Sequence, residues 1–247
     1  MMASKGWMIV IGVGLVLPVS AALAAATDTV PAKNAQQSTE TPVPPAKPVF
    51  VYRPPNRGAP QRRVGGGTRS LGAFQLQVLA PSHLAYSAEA QPRLYWFLSP
   101  GYRNPVRFRL SKVGAPPPLL EIVLPADPSG GIRYLDLAQH DVRLAPGAVY
   151  QWAVTLDPLP HQQRWPRVLS HGSVTLAEGK ASLLAEASVA ERPYVAAELG
   201  LWFDAFDGIS RLVAEDPSLR EERAILLDQG GLGEVAAYER EMIRLTR

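Results

Sequence analysis

Asp204 and Asp207 stand three residues apart in the stretch LWFDAFDG. On a helix that spacing puts both carboxylates on one face. Two such groups can divide acid and base roles if burial raises the pKa of one. A glycan-active enzyme would hold them ~5–10 Å apart across a cleft. The same spacing also gives a solvated stripe opposite Trp202 and Phe206, and the stripe is the expected reading. A second candidate lies in QRRVGGGTRS, residues 61–70, where arginines flank three glycines. A phosphate-binding loop would follow its glycines with Lys and Ser or Thr and then open a helix. Here no lysine follows and a strand pattern begins, so the glycines read as a backbone hinge. Arg62, Arg63 and Arg69 remain candidate binding residues for an anion. Trp165, in the polar stretch PHQQRWPR, is the aromatic best suited to stack on a sugar. Trp96, Trp152 and Trp202 fall in regular patterns and are expected in the core.

Other chemistries are excluded or unmarked. The chain has no cysteine, which removes thiol nucleophiles, iron–sulfur clusters, cysteine zinc sites and disulfides. His83, His140, His161 and His171 are too scattered to put two imidazoles on one helix face. No Gly-x-Ser-x-Gly elbow is present. The residues therefore assign no catalytic group, no metal and no cofactor.

The elements that must carry any site follow from periodicity. GAFQLQVL, RLYWFLS, VRFRLSKV, LLEIVLP, IRYLDL, VYQWAVTL and RVLSHGSVTL give seven strand candidates between Gly72 and Leu176. Pro, Gly, Asn and Asp separate them, and most alternate apolar with polar residues. RLYWFLS is apolar on both faces, as a central strand is. In LAPGAVYQW, Pro146-Gly147 makes a turn that the Tyr150 hydroxyl can anchor, as in the tyrosine corner of sandwich domains. After Glu178 the period becomes helical. Leu199, Trp202, Phe206, Ile209 and Val213 lie on one face of a helix running from Val195. Asp216-Pro217 ends it, Ser218 and Glu221 suggest a capping box, and Gly230-Gly231 separates the last two helices. The expected fold is mainly β with C-terminal α: an immunoglobulin-like β-sandwich followed by a small helical region.

The N-terminus has the three parts of a secretory signal: Lys5, an apolar run from Trp7 to Val19, and the small residues of SAALAAA. Eight prolines then fall between Thr27 and Pro60, the composition of an extended linker. The expected organisation is a signal peptide over 1–26, a Pro-rich disordered linker over 27–64, a β-sandwich over 65–179 and a helical region over 180–247 packed on it. Residues 27–80 carry seven basic and two acidic side chains, whereas 180–247 carry eight basic and thirteen acidic. The net charge of +3 hides this split. The basic segment is expected to be a solvated linker; the alternative is that, in an exported chain, it meets an anionic envelope surface rather than nucleic acid.

GGTRS, PRLYWFLSPGY, LAPGAVYQWAVTLDP and LGLWFDAFDGISRL, in that order and spacing, resemble the domain-of-unknown-function family numbered 928. The resemblance runs from about Gly65 to Tyr238. Tyr95-Trp96-Phe97 stands where the family's aromatic strand usually reads Phe-Trp-Phe. It implies an exported bacterial protein, a β-rich part followed by helices, and association with envelope sensory proteins. It supplies no catalytic residue. The expected function is a non-catalytic extracytoplasmic binding or scaffolding module, periplasmic or extracellular, with no membrane span in the mature chain. Its partner would be an envelope protein such as a sensor ectodomain. The alternative is an envelope glycan-active enzyme or a carbohydrate-binding module.

Overall fold

A computed structural model describes residues 49–55, 69–71, 74–157 and 167–246. Among these, nine strands form two sheets. They are β1 (Arg69–Leu71), β2 (Phe74–Val78), β3 (Ala85–Ser87), β4 (Arg93–Leu98), β5 (Val106–Lys112), β6 (Ala115–Leu124), β7 (Gly131–Asp136), β8 (Val149–Leu156) and β9 (Val168–Leu176). The first sheet runs β1-β2-β4-β7 and the second β3-β9-β8-β5-β6. All pairings are antiparallel except that of β3 with β9. All seven strands expected from alternation are present. The short β1 and β3 had no such signal, because three residues are too few to show a period.

The helices follow: α1 (Ala181–Ala185), α2 (Arg192–Glu198), α3 (Trp202–Glu215), α4 (Arg220–Gln229) and α5 (Gly233–Leu245). The fold is thus β-rich with C-terminal helices. Strand β4 explains how the layers stack. Successive side chains point to opposite faces. Trp96 meets Phe108 of the second sheet, with ring centroids 6.2 Å apart. Its neighbours Tyr95 and Phe97 face the helices, against Phe206 of α3 and Tyr238 of α5 at 5.1 and 4.8 Å. A strand apolar on both faces is one covered on both, here by a sheet and by helices. Between the sheets lie Leu76, Phe108, Trp152 and Val154, all essentially sealed from solvent. The backbone N–H of Val78 donates to the Ser170 hydroxyl across the gap. Tyr150 is the second residue of β8, and its hydroxyl accepts from the backbone N–H of Ala145 at 2.8 Å, the turn anchor expected from the Pro-Gly sequence.

The single helix expected from Val195 to Val213 is in fact two. Gly200, at φ +75°, separates α2 from α3. A Cβ there would lie 2.7 Å from the carbonyl oxygen of Arg53, so the break also admits a neighbouring segment. That segment, residues 49–55, falls within the stretch read as linker, yet it is docked on the helices. Phe50 stacks on Tyr194 at 4.2 Å, and Tyr52 meets the edge of Trp202 at 5.1 Å. The Gln229 side chain accepts from Tyr52 N–H and donates to the Phe50 carbonyl. The capping box also fails. Asp216, not Ser218, accepts from a backbone N–H, that of Ser218, and Glu221 is drawn instead to Arg240 on α5 at 3.0 Å. Gly230 does end α4. It also has to be glycine, since an added Cβ would fall 2.2 Å from the Trp202 ring.

Candidate functional site

The two aspartates of α3 do not form a solvated stripe. Asp204 is half-buried and accepts from the backbone N–H of Ala88 at 2.9 Å and from the Ser87 hydroxyl at 3.3 Å. Burial pushes its carboxyl up to about 7, partly opposed by the Ala88 hydrogen bond and reinforced by nearby Glu89. Asp207 faces a different strand. It accepts from the Tyr95 hydroxyl at 2.7 Å and from Arg211 at 2.8 Å, and Arg93 lies 3.6 Å away. Burial and then the Asp207 charge hold the Tyr95 phenol well above its usual range. Water was expected opposite Trp202 and Phe206. Instead α3 is sandwiched, with its aromatic face on the core and its aspartates on β3 and β4. The two carboxylates are hydrogen-bonded by different elements, Asp204 by Ser87 and Ala88 and Asp207 by Tyr95 and Arg211.

Beside Asp207 a cleft of about 410 Å³ opens between the outer face of the first sheet and helices α3, α4 and α5. Its wall residues include five arginines and one carboxylate: Arg93 from β4, Arg133 from β7, Arg211 from α3, Arg220 and Arg223 from α4, and Glu239 from α5. Strand register places Arg93 opposite Asp136, and the two pair at 3.0 Å. The guanidinium of Arg93 also lies 4.6 Å over the Tyr134 ring, a favourable cation–π distance. Arg133 pairs with Asp127 at 2.7 Å. Glu239 is almost fully buried. Arg223 grips it at 2.6 Å and Arg220 touches it at 3.4 Å. The Glu239 carboxylate is thus already engaged by two guanidiniums. The cleft offers N–H and O–H donors in a cationic setting, an arrangement that suits an anion.

Three of the four binding residues read from sequence, Trp165, Arg62 and Arg63, lie outside the described residues, as do the three glycines. Arg69 is the first residue of β1. Trp96, Trp152 and Trp202 are all core. Among the described residues no group of three His, Asp or Glu side chains converges as a metal would require. The cleft itself was missed, although one signal existed. Val235, Ala236 and Glu239 share the buried face of α5. A glutamate on an apolar stripe announces a buried cationic partner, and Arg220 and Arg223 stand at i, i+3 on the preceding helix.

No curated protein matches the chain. The family model of the Domain of Unknown Function (DUF928) matches residues 58–239, well over half of the sequence and spanning both sheets and most of the helices. The chain belongs to that DUF928 family.

Proposed function

We propose that this protein is a non-catalytic, extracytoplasmic binding module that engages an envelope protein along the free edge of β6. The sequence features that support export are Lys5, the apolar run from Trp7 to Val19 and the small residues after it. Among the described residues no helix is long and apolar enough to cross a membrane. Strand order supports an immunoglobulin-like sandwich. If β2, β4, β5, β6, β7, β8 and β9 are taken as A, B, C, C′, E, F and G, A-B-E falls on one sheet and G-F-C-C′ on the other. Tyr150 then lies near the start of strand F, where the tyrosine corner belongs. Such a scaffold does not dictate activity, so the role rests on its surface.

The observation that carries the reading is the second half of β6. This ten-residue strand ends the five-stranded sheet and, among the described residues, pairs only with β5. Proteins guard such edges with proline or lysine because an open edge recruits another strand. Pro116, Pro117 and Pro118 guard the first half. From Leu119 to Leu124 there is neither proline nor lysine, and Glu121 is the one charge. Leu119 and Val123 are 47% and 56% exposed and lie on one face of the strand. An extended segment of a partner protein, with apolar side chains in alternation, fits this edge by strand addition.

Site-specific photocrosslinking in the envelope fraction tests it, with the crosslinker at Val123 and, as control, at the still more exposed Val189 between α1 and α2. A discrete adduct from Val123, absent from Val189 and abolished by Leu119→Lys, is expected. Equal yields at both positions, or an adduct indifferent to Leu119→Lys, would refute the assignment.

A further inference from the structure

We propose that the arginine-lined cleft is a second binding site, for a small ligand carrying an oxyanion, either carboxylate or phosphate. The case begins with charge. On the α4–α5 wall two guanidiniums share one carboxylate, Glu239. Arg223 takes it with two short contacts, 2.6 and 3.0 Å, through Nη2 and Nε. Arg220 is left with contacts of 3.4 and 3.5 Å to the same group, at the outer limit of hydrogen bonding. It is also the less buried of the two, 26% exposed against 9%. Arg220 is thus a cation whose one ion-pair partner among the described residues is already engaged, and it lines a cavity.

A second observation is independent of charge. Ser210 of α3 lines the same cleft, and its hydroxyl is buried with no hydrogen-bond partner among the described residues. Buried hydroxyls are ordinarily paired, so an acceptor in the cleft would satisfy it. Arg211, the next residue, uses Nε for Asp207, which leaves its terminal nitrogens facing outward at 59% exposure. Guanidinium forks match the two-oxygen edge of carboxylates and phosphates. The volume of about 410 Å³ falls in the range of small-molecule sites. Tyr134, half-exposed beneath Arg93, gives the rim a flat apolar surface for the rest of such a ligand. A positive site enclosed by a sheet face and three helices holds an anion more strongly than exposed arginines would, because water screens it less.

The test uses the full chain and isothermal titration calorimetry at low ionic strength, with inorganic phosphate and citrate as separate probes. Saturable one-to-one binding of at least one probe is expected. Phosphate alone would mark phosphate esters as the source, citrate alone carboxylic acids. Arg220→Gln should weaken binding at least tenfold, while Arg109→Gln, on the exposed face of the other sheet, leaves it unchanged. If Arg220→Gln does not fold, Ser210→Ala removes one hydroxyl only and should weaken binding several-fold. Failure of both probes to bind, or equal affinity in the cleft variant that folds, overturns the proposal. Neither result bears on the β6 edge, which lies on the other sheet.

Discussion

Replacing Asp204 with Asn should flatten the pH dependence of stability. In the folded chain burial raises the Asp204 carboxyl from 3.8 to about 7. Between those values the folded state holds a proton that the unfolded chain has released. Stability from this group is therefore full below about pH 4 and is lost as pH rises through 7. Applied between pH 5 and pH 8, the linkage relation gives a loss of roughly 2.6 kcal/mol, an upper bound because Asp204 is half-buried rather than sealed. Asn cannot ionise. Its amide oxygen can still accept from Ala88 N–H, so the substitution changes the slope more than the hydrogen-bonding pattern. Urea denaturation of both proteins at pH 5, 6, 7 and 8 isolates the effect, since every other titrating group is common to the two. The stability of Asp204→Asn relative to wild type should climb by about 2–3 kcal/mol from the lowest to the highest pH. Two curves that stay parallel would refute the claim that this carboxyl is desolvated.

Gly230→Ala should lower the thermal midpoint measured by calorimetry, because its Cβ would fall 2.2 Å from the Trp202 ring and overpacking costs about 1–3 kcal/mol; an unchanged midpoint would mean that the ring moves aside freely. Tyr150→Phe deletes the bond to Ala145 N–H and should cost about 1 kcal/mol in urea unfolding. Glu239→Gln leaves Arg223 buried without its counter-charge and should cost about 3–5 kcal/mol. Adding Arg223→Met to it should recover part of the loss, and a double variant as unstable as the single one would count against a charge origin.

The strands were legible because their side chains answer to one surface at a time. In β5, Val106, Phe108 and Leu110 are buried while Arg107 and Arg109 are exposed, so the period of two is written in polarity. The doubly apolar β4 was legible as central, but not the reason for it: alternation cannot tell a second sheet from a layer of helices. The helical region was harder. The apolar spacing of 4, 3, 4, 3, 4 runs through Gly200 without a fault, because one buried face continues across the break. Only the packing of Arg53 against that glycine shows why the axis must change. Phe50 and Tyr52 were lost among prolines for a related reason. Composition averages over a window, whereas docking is decided by two rings that find Tyr194 and Trp202.

The cleft was illegible for a deeper reason. Its six charged walls come from β4, β7, α3, α4 and α5, separated by up to 146 positions, and apart from Glu239 on its apolar stripe each charge taken singly looks like ordinary surface. What distinguishes them is the imbalance created on folding. Arg93 and Arg211 converge on Asp207, and Arg220 and Arg223 converge on Glu239. Arg93 has a closer partner in Asp136, so the surplus lies at Glu239, where two cations share one buried carboxylate; that is a costly arrangement to keep, and stability alone does not call for it: one arginine, or an apolar pair, would serve the fold as well. The surplus is most economically explained by something that completes it. An oxyanion seated against Arg220 and the unpaired Ser210 hydroxyl would supply both the missing charge and the missing acceptor. Ligand binding and fold stability are then coupled, so a bound anion should raise the thermal midpoint of the wild type and leave that of Arg220→Gln where it was.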